Sequence, residues 1–178
     1  MEGIKFEKVS FGSFLKDSLN CRLGNGLVRN PTDKDFSEFL KDVYDKISLP
    51  VRKTEGSAGY DIECPFSFVI KPGAKVKFPT GIKATMPKDI VLNIHIRSSL
   101  GIKHDLHISN TIGIIDSDYY NNPSNEGDII ISLNNDGQNN YNMEEYNAVA
   151  QGIFTKYEVT EDDNATAKRV GGIGSTSK

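Results

Sequence analysis

From Leu49 onward the chain runs as short apolar segments, each closed by turn residues within a few positions. Phe66-Ser-Phe-Val-Ile70 precedes Lys71-Pro-Gly73, and Val76-Lys-Phe78 precedes Pro79-Thr-Gly81. Ile90-Val-Leu-Asn-Ile-His-Ile96 leads into Arg97, and Ile129-Ile-Ile-Ser-Leu133 ends at an Asn-rich turn. Strands this short, at this spacing, predict an all-β barrel or sandwich. There is no internal repeat and no long low-complexity tract.

The first part of the chain has a different texture. Ile4-Lys-Phe-Glu-Lys-Val9 alternates apolar and charged side chains, the pattern of a half-exposed strand. Phe11, Phe14, Leu15 and Leu19 then fall at helical spacing, as do Phe36, Phe39, Leu40 and Val43 after Pro31 and an N-cap at Thr32. Residues 10–45 therefore read as an insertion of two short amphipathic helices joined by Leu23 to Pro31. It can serve as a flap packed outside the barrel or as a surface for a protein partner. The sequence leaves both open. Residues 161–178 form a polar, Gly-rich arm that is expected to take a fixed conformation only with a ligand or partner. The whole is read as one domain.

Composition narrows the function classes. A chain of 178 residues can bury most of the apolar surface of one domain. Its hydrophobic fraction of 37% without Trp suits a subunit that shares a core with copies of itself. The net charge of −3 gives no global field that would draw the chain to nucleic acid or an anionic membrane, so local donors must meet any phosphate. No apolar run approaches membrane-spanning length and no signal-peptide pattern opens the sequence. Cys21 and Cys64 have no metal-ligand spacing and read as reduced thiols of a cytoplasmic protein.

Chemistry concentrates at segment ends. The run Ile112-Gly-Ile-Ile115 reads as a strand with too little polarity to lie open to water. It sets Asp116 at its exit, at the edge of a cleft, with the Tyr119 ring three residues on. Arg97-Ser98-Ser99-Leu-Gly101 follows an apolar strand directly; its hydroxyls and consecutive amides make an anion nest, and Arg97 adds a bidentate donor. Asp61 and Gln151 are polar residues at the edges of apolar segments. His95, His104 and His107 lie on or beside strands without Cys or Glu at ligand spacing. Each motif alone has a plainer reading: a strand-to-turn transition, a capped helix start, a turn Asp, a buried Gln.

Their order is what sets the plain readings aside. Gly56-Ser-Ala-Gly-Tyr-Asp61, Arg97-Ser-Ser-Leu-Gly101, Asn110 to Tyr119, Ala150-Gln151-Gly-Ile-Phe154 and Arg169-Val-Gly-Gly-Ile-Gly-Ser-Thr176 follow one another as in the trimeric dUTPase family, which this chain resembles from about Leu49 onward. The resemblance implies a dUTPase-like β-barrel or jelly roll, a homotrimer with sites shared between subunits, and hydrolysis of dUTP to dUMP and pyrophosphate. That reaction keeps uracil out of DNA and supplies dUMP for thymidylate synthesis. It gives Asp116 the role of general base toward a water attacking the α-phosphorus. Ser98 and Ser99 would hold the inner phosphates, with Arg97 in support. Asn110, Gly113 and the backbone around them would read the uracil edge, and Tyr119 would lie against the deoxyribose. Asp61 and Gln151 would hold waters around a Mg²⁺ chelated by the triphosphate, with no direct protein ligand. In the closing arm the glycines, Gly174 among them, would let backbone amides approach the phosphates, and Arg169 and Ser175 or Thr176 would bind the γ-phosphate.

Three departures from the family pattern stand out. Ile173 occupies the place of a Phe that stacks on the base. Tyr120-Asn-Asn-Pro-Ser-Asn-Glu126 lengthens what is usually a tight turn before Gly127, and Ile96 replaces a common Pro before the Arg. The helical insertion is also absent from the minimal family form. Two other readings stay open: a dCTP deaminase relative, whose deaminating Glu motif has no counterpart here, and a non-catalytic or moonlighting regulatory protein on the same frame.

Overall fold

The computed structural model describes residues 3–25 and 33–172. Eleven strands carry the fold: β1 Lys5–Lys8, β2 Tyr60–Glu63, β3 Phe68–Ile70, β4 Lys75–Pro79, β5 Ile82–Thr85, β6 Ile90–Ile96, β7 Leu106–Ile108, β8 Gly113–Ile115, β9 Ile130–Asn135, β10 Tyr141–Met143 and β11 Ala148–Lys156. Three helices accompany them, α1 Phe11–Asn25, α2 Asp33–Lys46 and α3 Ser98–His104, and Ser117–Tyr119 forms a short 3₁₀ turn. All pairings are antiparallel. One sheet runs β2-β11-β6-β8, a second β4-β9-β7, and β1-β5 and β10-β3 form two-stranded pairs.

Side-chain alternation explains the layering. Along β9 every second residue is buried, and β4 buries Val76 and Phe78 while Lys75 and Lys77 face out. Ile62, Phe78, Leu92, Ile131, Leu133 and Val149 from these strands meet in one continuous core between the sheets. The expected all-β architecture is the observed one.

A second, smaller core forms where the helices meet the barrel: Phe14, Leu40 and Val43 close over Val9, Ile47 and Ile82. The N-cap at Thr32 and most of the connecting segment lie outside the described residues. The apolar stripe expected on α1 needs correction. Phe14 is buried, but Leu19 is 39% exposed, and the residues that face inward beside Phe14 are Ser13, Asp17, Ser18 and Cys21. On α2, Leu40 and Val43 are buried while Phe39 faces outward. The Ser13 and Ser18 hydroxyls and Asp17 Oδ2 are buried without a hydrogen-bond partner among the described residues.

A further correction concerns β8. Ile114 is 56% exposed and Ile112 is also open, so the strand is not sealed from water in one chain. β8 lies at the end of its sheet, paired to β6 on one side, and Ile114 points to the uncovered face.

Candidate active site

Register on β6 places the chemistry. Gly113 sits opposite Ile94 and Ile115 opposite Leu92, so the chain leaves β8 at the Val91 end of β6 and Asp116 stands there. Asp116 begins the 3₁₀ turn, its carbonyl accepting from the Tyr119 amide at 3.0 Å, and this turn folds the Tyr119 ring back against the sheet. Tyr119 is only 6% exposed. A cavity of about 240 Å³ results, lined on its apolar side by Ile94, Ile108, Ile115 and Ile131 and at its polar mouth by Asn110, Gly113, Asp116, Tyr119 and Arg169. An apolar wall with a few convergent polar groups is the usual make-up of a small-molecule site.

Arg169 closes the mouth. Its Nη2 donates to Asp116 Oδ2 at 2.5 Å and its Nε to Asp118 Oδ1 at 2.7 Å. The guanidinium carbon lies 5.6 Å from the Tyr119 ring centroid, within cation–π range. Burial works against the Arg169 charge, but the bond to Asp118 and the two carboxylates outweigh it and raise its pKa. The Arg169 side chain is 9% exposed. Ile173, Gly174, Ser175 and Thr176 lie outside the described residues.

A second cluster forms at the other end of β6. Gln151 on β11 stands opposite Asp61 on β2, and Ala150 stands opposite Ile96, the residue before Arg97. Arg97 Nε makes an ion pair with Asp61 Oδ1 at 3.6 Å. Asp61 is buried, and its Oδ2 has no hydrogen-bond partner among the described residues. Gly59 makes the cluster sterically feasible, since a Cβ there would lie 2.5 Å from Gln151 Oε1. Arg97 opens α3, and Ser98 and Ser99 are exposed at its start, ahead of the Leu100 and Gly101 amides that bond back to the Arg97 carbonyl.

The two clusters do not meet within one chain. Asp116 and Arg97 flank opposite ends of the same strand, so at about 3.3 Å per residue they stand on the order of 20 Å apart. Sequence reasoning also missed residues around Tyr119. Asp118 is the second carboxylate on Arg169. Asn125 donates to Tyr119 Oη at 2.9 Å, and Tyr119 Oη donates to the Asp128 carbonyl at 3.0 Å. Nothing in a polar Asn-Asn-Pro-Ser-Asn stretch signals that two of its Asn residues are buried.

The dUTPase family profile matches residues 45–177, so both helices of the insertion fall before or at its start. The deoxyuridine 5′-triphosphate nucleotidohydrolase of Lactococcus lactis is 42% identical over 132 residues, covering 73% of this chain and 88% of the relative. The crystal structure of the Streptococcus mutans dUTPase superposes with a TM-score of 0.59 at 40% identity, over 64% of this chain and 88% of that one. The dUTPase from phage phi11 of S. aureus shares the fold at 21% identity and a TM-score of 0.56, over 67% of this chain and 90% of that one. This chain belongs to the dUTPase family.

Proposed function

We propose that this protein hydrolyses dUTP to dUMP and pyrophosphate as a homotrimer whose sites draw on more than one subunit. The observation that carries the reading is Asp116 at the mouth of an otherwise apolar cavity whose wall is Tyr119 and whose rim is Asn110. The nucleoside enters this cavity. Asn110 and the backbone at Gly113 pair with the uracil edge; cytosine would bring a donor where uracil has a carbonyl and leave buried groups unpaired. The Tyr119 ring lies against the deoxyribose and leaves no room for a 2′-hydroxyl.

The triphosphate extends toward donors that one chain holds too far away. A neighbouring copy brings its Arg97, Ser98 and Ser99 to the inner phosphates, which a threefold ring arranges identically at every site. The γ-phosphate draws Arg169 off Asp116, joined by Ser175 and Thr176. Freed of its ion pair, Asp116 takes a proton from a water as the water oxygen bonds to the α-phosphorus. The bond from that phosphorus to the bridging oxygen breaks, and pyrophosphate leaves with the electron pair.

The residues fit a hydrated Mg²⁺ carried in by the triphosphate. Asp61 Oδ2 is a buried acceptor without a partner, beside the Gln151 amide, a pairing suited to the waters of such an ion. When bound, the ion would withdraw charge from the phosphate oxygens. Asp61 and Gln151 would hold its waters. Cys21 and Cys64 are buried free thiols, and a cytoplasmic setting suits them.

The test is pyrophosphate release with Mg²⁺ from dUTP, beside dCTP, dTTP and UTP. Release confined to dUTP is expected. Release from dCTP with loss of ammonia would favour the deaminase reading, and silence from a folded oligomer would overturn the enzyme altogether.

A further inference from the structure

Two segments that depart from the family pattern are bonded to each other. Ser10, just before α1, donates from its amide and its hydroxyl to the Glu126 carboxylate at 2.8 and 2.5 Å. Lys16 on α1 donates to the Ser124 carbonyl at 2.8 Å. Asp17 on the same helix is buried near Asn125. The helical insertion thus holds the lengthened loop at Ser124 and Glu126. From the barrel, Lys83 adds a bond to Asn121 at 2.6 Å.

The inner side of that loop holds Tyr119. Asn125 Nδ2 donates to Tyr119 Oη and, at 3.2 Å, to the Asp128 carbonyl that also accepts from Tyr119. Asn122 Nδ2 donates to the Tyr119 carbonyl at 2.9 Å and to Asn125 Oδ1 at 2.8 Å. Gly127, at φ 88°, lets the loop pass behind the ring, since a Cβ there would lie 2.7 Å from the Tyr119 carbonyl oxygen. Asn122, Asn125 and Asp128 are all buried. A ring tied at its hydroxyl and at its own carbonyl cannot retreat from the cavity.

We infer that the helical insertion and the lengthened loop form one buttress that fixes the Tyr119 ring, with Asn125 as the positioning residue, and that this buttress sets how strongly the enzyme rejects ribonucleotides. The inference rests on the proposed role of Tyr119 against the sugar. Excluding one hydroxyl by contact demands a wall that does not move, because a displacement of well under the size of an oxygen atom admits it. Without the tie the ring yields, UTP is accepted, and turnover of dUTP is little altered.

The experiment measures kcat/KM for dUTP and for UTP, together with Tm, in the full-length wild type and in Asn125→Ala, Glu126→Ala, Glu126→Gln and Tyr119→Ala. Asn125→Ala is expected to lower the dUTP/UTP ratio about tenfold, chiefly through a lower KM for UTP. Glu126→Ala, remote from the cavity and on the surface, is expected to lower it about threefold. Glu126→Gln, which still accepts from Ser10, keeps the ratio near wild type. If Tyr119→Ala destroys discrimination while Asn125→Ala and Glu126→Ala change only Tm, the buttress is overturned and the sugar wall stands. If Tyr119→Ala keeps the ratio, the sugar wall itself is wrong and the buttress falls with it. Should Asn125→Ala not fold, the Glu126 pair decides: an unchanged ratio in Glu126→Ala overturns the inference.

Discussion

Arg169 and Asp116 cannot both act while bonded to each other. Arg169 occupies Asp116 Oδ2 at 2.5 Å, so the proposed mechanism has the arm's charge move to substrate. Two outcomes follow at this scale. Asp116→Asn is expected to lower kcat by roughly 10²–10⁴ with the fold intact by circular dichroism; near wild-type turnover would remove Asp116 as base. Arg169→Ala is expected to weaken a non-hydrolysable dUTP analogue at least about tenfold, the worth of a charge-assisted bond, while calorimetry shows dUMP, which has no γ-phosphate, binding about as before. Equal loss for both ligands would mean that Arg169 serves the nucleoside end instead. Ile173 carries a third prediction. Base–aromatic stacking contributes about 1–3 kcal/mol, so Ile173→Phe is expected to raise kcat/KM for dUTP in stopped-flow measurements, and no gain would show that the arm does not cover the base.

Among the elements, α1 is the unusual one because it docks a polar face. Asp17 and Asp128 are both buried, each with an Oδ2 that has no hydrogen-bond partner among the described residues. Burial pushes the Asp17 carboxyl up to about 6, against the pull of Lys16 and Lys77, and pushes Asp128 well above the usual carboxylate range, with Asp17 adding to it. The folded chain therefore binds the Asp17 proton at a higher pH than the unfolded chain, whose Asp titrates near 3.8. Stability from this group falls as pH rises through that window and is lowest above about pH 6. Asp17→Asn is accordingly expected to be more stable than wild type by about 1–3 kcal/mol at pH 8, with the difference vanishing by about pH 4. Urea unfolding across that range measures it, and a pH-independent difference would refute the account.

The same helix shows what the sequence could and could not disclose. Strand alternation was legible in β4 and β9 because one face of each must meet the core. The stripe Phe11, Phe14, Leu15 and Leu19 was equally visible, yet Leu19 lies outside while Ser13, Asp17 and Ser18 turn inward. Asp17 there lies near Asn125 and Asp128, more than a hundred residues away, and no local pattern signals that. Asp116 and Tyr119 were legible because a strand exit fixes them; the buried Asn residues behind Tyr119 were not, since a loop Asn looks alike in water or in a core.

For the molecule as a whole, the separation of the two clusters along β6 bears on the proposed assembly. One chain carries the Asp116 cavity at one end of the strand and the Asp61, Arg97 and Gln151 cluster at the other, on the order of 20 Å away. Apolar residues left open in one chain, Ile114 on β8 and Ile102 on α3, suit faces covered by neighbouring copies. The proposed shared site also suits a 37% hydrophobic chain without Trp.

The direct test is complementation between two inactive variants, Asp116→Asn in one chain and Arg97→Ala with Gln151→Ala in the other, co-assembled in equal amounts and assayed for pyrophosphate release from dUTP. If each site takes its cavity from one copy and its phosphate cluster from another, about a quarter of the sites regain both intact halves by random assortment, and activity returns in that proportion. Mixed oligomers that stay as inactive as either parent would contradict the shared site and place both halves in a single chain.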